Sequence, residues 1–188
     1  MSSMNPRRSN PRVWLKAKAD EYLDRASDLY IFGEDNRAAV FREALAIAKR
    51  SLLLDPRNYK ILVLIGDIIS DIDDTRSIDQ ALRYYNQAIA LRPECPDAYQ
   101  SKAGLLMFWL NRPEEAERHA RKALALSLRS GEGSEGLEFS YASLIDILVE
   151  RKKFARARWY IRRALRDCPS EFMSDLVAQP LKEIESSK

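Results

Sequence analysis

Residues 78–126 read IDQALRYYNQAIALRPECPDAYQSKAGLLMFWLNRPEEAERHARKALAL. They divide into three helical segments separated by two breaks. The first runs from Asp79-Gln80-Ala81-Leu82 to Leu91, and Arg92-Pro93 stops it. The second restarts at Pro96-Asp97-Ala98 and holds Gly104. The third opens at Pro113-Glu114-Glu115-Ala116 and closes at Ala123-Leu124-Ala125-Leu126. Proline suits a first helical turn because the amide it lacks has no partner there. Acidic residues after it complement the helix dipole.

Three features return outside this stretch. An early Ala recurs in alternate helices as Ala44, Ala81, Ala116 and Ala157. A small residue stands in the preceding helix as Gly66 and Gly104, with Ile145 as the departure. The closing phrase appears as Ser51-Leu52-Leu53-Leu54-Asp55-Pro56, as Ala88-Ile89-Ala90-Leu91-Arg92-Pro93, without its Pro at Ala123–Leu126, and as Ala164-Leu165-Arg166-Asp167-Cys168-Pro169. The pattern resembles the tetratricopeptide repeat, a helix–turn–helix unit of about 34 residues. The resemblance implies an all-α, right-handed solenoid of about four helical hairpins, in which small residues let helices approach closely.

The organisation expected from this is a disordered basic arm over 1–11, a repeat domain over 12–169, and a capping helix and tail over 170–188. The repeat units fall near 13–56, 57–93, 96–128 and 135–169. The arm carries Arg7 and Arg8 and shows no apolar stretch of the secretory type. Asp35 or Asn36 would cap the second helix, and Asp71, Asp73 and Asp74 would make an acidic turn lacking the Gly and closing Glu of a calcium loop. Gly131, Gly133, Ser134 and Gly136 mark a flexible interruption, and Pro180 is expected to kink or divide the last helix.

Composition agrees with one helical domain. Of 188 residues 46% are apolar, only six are Gly, and nothing alternates with the period of a strand. A net charge of +3 is too small to imply nucleic acid by itself. No apolar run approaches a membrane span. Cys95 and Cys168 have no metal-type spacing, which suggests a reducing cytoplasm. His119 is the only histidine and stands between Arg118 and Ala120 within a repeat helix. No catalytic set, metal site or cofactor motif is visible, so the expectation is a non-enzyme.

Two surfaces could carry a function. In the repeat family the first helix of each hairpin lines a concave groove. Matching position by position puts Lys60, Val63, Asp67 and Asp71 there from one hairpin and Ser101, Lys102, Leu105, Phe108 and Trp109 from the next. The last contributes Ala142, Asp146 and Glu150. An apolar centre flanked by acids suits an extended or helical peptide with basic flanks. The chaperone-tail clamp of some members is not reproduced, because Asp67 and Leu105 stand where an Asn would. The second surface is the basic helix 151–166, where Arg156, Arg158, Arg162, Arg163 and Arg166 surround Trp159. It suits an acidic partner or RNA, unless Phe172 and Leu176 cover the Trp. The expected function is a protein-interaction adaptor. A polyanion-binding accessory is the alternative and a secretion-type chaperone a weaker one; a homodimer is left open.

Overall fold

The computed structural model describes residues 11–32, 37–72, 77–130 and 134–186. The arm over 1–10, the caps at Asp35 and Asn36, the acids Asp73 and Asp74, and Gly131 and Gly133 lie outside the described residues. Among the described residues there are nine α-helices and no strand. They are α1 (Pro11–Phe32), α2 (Arg37–Leu54), α3 (Tyr59–Asp71), α4 (Ile78–Leu91), α5 (Pro96–Phe108), α6 (Pro113–Ser130), α7 (Ser134–Glu150), α8 (Phe154–Asp167) and α9 (Glu171–Ser186). The chain forms two compact units, Met1–Pro93 and Glu94–Lys188.

In the first unit α1 packs on α2 and α3 on α4, and α2 joins the two pairs through α3. The early Ala44 and Ala81 are fully buried, as are Ala19, Ala26 and Ala88. Small side chains there bring the helix axes close enough for a backbone contact: Ser51 Oγ donates to the Ala19 carbonyl at 2.5 Å. Asn58 caps α3 by accepting from the Lys60 amide at 3.1 Å. Ile61, Leu62, Ile65, Ile68 and Ile69, spaced to share one side of α3, are buried. Each such side chain contributes about 1.5–3 kcal/mol by leaving water. Gly66 is required here. A β-carbon on it would lie 2.9 Å from Tyr85 Cδ1 and nearer still to Cε1.

In the second unit α7 lies between α5 and α9, while α6 and α8 pack on the outside of this layer. Hydrogen bonds fix the register. Gln100 of α5 accepts from Ser140 of α7 at 3.3 Å. Just past the far ends of the same helices, Arg151 donates to the Pro113 carbonyl at 3.3 Å. So α5 and α7 run side by side in the same direction. At the start of α9, Ser170 donates to Glu138 of α7 at 2.5 Å and accepts from the Met173 amide at 2.9 Å. Asn111 and Lys152 take left-handed backbone angles, with φ of 49° and 55°, in the turns that follow α5 and α7.

The core of this unit holds Leu106, Leu124, Tyr141, Leu144, Ile145, Leu148, Ile161, Met173 and Ile184. Two expectations need correction. A β-carbon on Gly104 would meet nothing within 4 Å, so this glycine has no packing duty. Tyr85 stands four residues beyond the early Ala81. The residue at the corresponding place after Ala116 is Ala120, too small to need the space. Pro180 does not divide the last helix: α9 runs on through it, with Pro180 buried.

Candidate binding face

In the first unit the matched groove residues are largely committed. Lys60 is exposed at the start of α3, and Val63 is buried. Asp67 accepts the Tyr85 hydroxyl at 2.7 Å, and Asp71 accepts the Tyr30 hydroxyl at 2.8 Å. Burial, then the charge of Asp67, pushes the Tyr85 hydroxyl well above its ordinary pKa, so it stays a donor.

The second unit presents a more open face. Its inner layer has α5, α7 and α9 abreast. Phe108 and Trp109, at the end of α5, are 63% and 40% exposed. Leu105 lies three residues earlier and is only 3% exposed. The sequence groups it with them as an anchor, and the structure corrects this. Position along the helix explains the difference. Leu105 lies within the packed body of α5, whereas Phe108 and Trp109 lie at the helix end. Ser101 is half-buried and Ala142 buried.

Lys102 is half-buried. Burial lowers its pKa, with Glu115 and Arg112 as its charged neighbours. Beside it, His119 stacks on Tyr99, with ring centroids 5.9 Å apart. Burial and then the Lys102 charge push His119 down to about 4, so it is neutral at pH 7.

Asp146 and Glu150 are one turn apart on α7 and exposed, with no ion pair among the described residues. Although Asp146 is exposed, the helices packed around it remove enough water to raise its pKa to about 6, and the charges of Glu183 and Glu150 push it the same way. Three carboxylates therefore crowd one part of the face.

The basic helix differs from what its run of cations suggests, because Glu117 of α6 and Asp167 at its own C-terminal end supply counter-charges. Glu117 of α6 is buried and pairs with Arg121, Arg151, Lys153 at 2.7 Å and Arg156 at 3.6 Å. Sequence reasoning missed Glu117; its one signal is its place beside the early Ala116. Asp167 takes Arg163 at 3.1 Å and Arg166 at 3.2 Å. Arg158 donates to the Ile184 carbonyl at 3.3 Å. Arg162 is exposed without an ion pair among the described residues. Trp159 is 50% exposed; its ring meets Tyr160 edge-on at 4.8 Å, and the Arg163 guanidinium lies over it at 5.4 Å. Phe172, which with Leu176 is the sequence's candidate cover for this ring, makes its own ring contact with Phe139 at 5.4 Å.

Among the described residues no group of three or more His, Cys, Asp or Glu could hold a metal ion, and no helix is long and apolar enough to cross a membrane.

Neither a family model nor a curated relative matches the sequence. Solved structures do match the fold. PilW, a widely conserved type IV pilus biogenesis factor, is 19% identical over 89% of this chain and 73% of its own, with a TM-score of 0.68. PilF of Pseudomonas aeruginosa is 17% identical over 94% and 75%, with the same score. A thermophilic tetratricopeptide-repeat protein of Thermus thermophilus is 16% identical over 88% and 98%, with a score of 0.62. At these identities the likeness shows the fold alone, an all-α tetratricopeptide-type array of helical hairpins.

Proposed function

We propose that this chain, with its tetratricopeptide-type fold, is a non-catalytic adaptor that holds a protein segment on the inner face of residues 94–188. Phe108 and Trp109 are the apolar anchors, and Asp146 and Glu150 select basic flanks. The observation that carries this is the exposure of both aromatics beside α7, whose Asp146 and Glu150 have no cationic partner among the described residues. Covering the two rings removes roughly 100 Å² of apolar surface each, about 5 kcal/mol together at about 25 cal/mol/Å². A micromolar complex needs about 8 kcal/mol, so charge contacts must contribute as well. Two buried cysteines outside any disulfide suit a reducing compartment, such as the cytoplasm.

The alternative, RNA or another polyanion on Arg156–Arg166, is weakened by Glu117 and Asp167. These already pair with Arg156, Arg163 and Arg166. One face of Trp159 is also taken by Arg163. The test is capture from source-cell lysate with wild type, Trp109→Ala and Trp159→Ala, with and without nuclease. The adaptor reading requires a protein prey that nuclease spares and Trp109→Ala loses. Retention of all prey by Trp109→Ala, or loss of prey on nuclease treatment, overturns it.

A further inference from the structure

Phe139, Asp146 and Glu150 occupy positions i, i+7 and i+11 of α7, within about 40° of one line at 100° per residue. Phe172 and Glu183 occupy i and i+11 of α9 and fall on one line in the same way. The two lines meet. The rings of Phe139 and Phe172 lie 5.4 Å apart in an edge-to-face contact. Further along the same two helices, Glu183 and Asp146 feel each other's charge. The seam between α7 and α9 is therefore aromatic at one end and acidic at the other.

Both rings remain open. Phe139 is 45% and Phe172 43% exposed, although each already has a ring partner. Two such rings side by side form a patch, rather than the single exposed apolar residues of an ordinary surface. Asp146, Glu150 and Glu183 are all exposed. The distance from the rings to the acids is about 10 Å for seven residues and about 16 Å for eleven, at about 1.5 Å per residue.

We infer that the α7–α9 seam is the seat for a cationic, amphipathic helix of a partner protein, with an aromatic or large aliphatic side chain at its position i and Lys or Arg at i+7 and i+11. A helix lying along the seam has the same rise as α7, so its spacing repeats that of Phe139, Asp146 and Glu150. The charge of the acidic end fixes the sign of the partner and its direction along α7. An acidic helix, or a basic one laid in the opposite sense, leaves like charges facing or the rings uncovered. On this account α9 takes part in recognition as well as closing the end of the core. It rests on the adaptor reading of this unit and adds a partner class and an orientation.

The test uses the full chain, ¹⁵N-labelled, and two synthetic helical probes of about sixteen residues. One carries Phe at i with Arg at i+7 and i+11; the other carries Glu in place of both Arg. Amide shifts on titration to millimolar peptide should fall along 139–150 and 172–183. The Arg probe should bind at least about tenfold more tightly than the Glu probe. Phe172→Ala should abolish the shifts while the far-ultraviolet dichroism stays that of wild type. The double variant Asp146→Asn, Glu150→Gln should erase the preference for Arg but leave the contact with the rings.

Shifts confined to the neighbourhood of Phe108 and Trp109 would overturn the seam and leave the adaptor standing. So would binding indifferent to Phe172→Ala, or no shift with either probe. Failure of the adaptor reading itself is seen separately, as lysate prey retained by Trp109→Ala.

Discussion

The ring of Tyr85 fills the space that a side chain at position 66 would need, and its hydroxyl is tied to Asp67, the next residue along α3. A larger residue at 66 must displace a buried ring held at both ends. Gly66→Ala is expected to destabilise the protein by about 1–3 kcal/mol, the usual range for overpacking. Gly104 is the control, since its β-carbon would meet nothing within 4 Å. Gly104→Ala should stabilise by about 0.5–1 kcal/mol through helix propensity. Urea unfolding of the two variants against wild type decides it, and equal effects of the same sign would contradict the packing described.

Leu105 and Phe108 lie one turn apart on α5 with opposite exposures. Leu105→Ala should cost about 2–5 kcal/mol, as for other buried leucines. Phe108→Ala should change stability by no more than about 1 kcal/mol, because most of the ring is already in water. Thermal melts of both variants are the measurement. A large loss for Phe108→Ala would mean that this ring is part of the core and not an anchor.

Glu117 is a buried carboxylate surrounded by cations. Its burial acts to raise its pKa, yet Lys153, Arg121 and Arg151 outweigh burial and hold it below the ordinary carboxylate value. Glu117→Ala should cost about 3 kcal/mol, because the cations lose their buried partner. A depressed carboxylate stabilises the fold above its unfolded pKa, and that contribution disappears as the pH falls through the folded value. The gap between wild type and Glu117→Ala in urea should therefore narrow on going from pH 7 to below pH 4. A gap that does not depend on pH would point to lost packing instead.

Asp146 shifts the other way, up to about 6, through burial and its acidic neighbours. Its ionised form is less stable in the folded chain than in the unfolded one, so stability falls as the pH rises from about 4 through about 6. Asp146→Asn removes that penalty. With solvent screening of an exposed group, the gain at pH 7.5 should be about 1 kcal/mol or less, roughly 2–4 °C in melting temperature. The gain should vanish at pH 4. A melting temperature unchanged at pH 7.5 would show that the three carboxylates do not burden one another.

Features set by local chemistry were legible in the sequence. Proline at the start of α5 and α6 marked where those helices begin. The early Ala residues, all fully buried, marked where helices cross closely. What depends on the facing helix was not legible. Gly66 and Gly104 look alike until Tyr85 and Ala120 are set opposite them. Leu105 shares a helical stripe with Phe108, but only the folded packing says which of the two is covered. The run of cations from Arg151 to Arg166 contains no acid. Its main partner, Glu117, lies 34 residues before Arg151 and is brought in by the packing of the hairpins. Sequence proximity assigns Phe172 to Trp159, whereas the parallel course of α7 and α9 delivers it to Phe139.

Cys95 caps the entrance to α5 and Cys168 the exit from α8; both are buried and neither is in a disulfide. Burial also holds the Cys168 thiol above its ordinary pKa. A thiol reagent cannot reach either sulfur until the structure around it opens, so labelling becomes a clock. With excess reagent the two modification rates give the opening frequencies of two separate places in the same molecule. Fraying at the α5 entrance and release of the α8 exit could then be timed independently, without any probe being added to the chain.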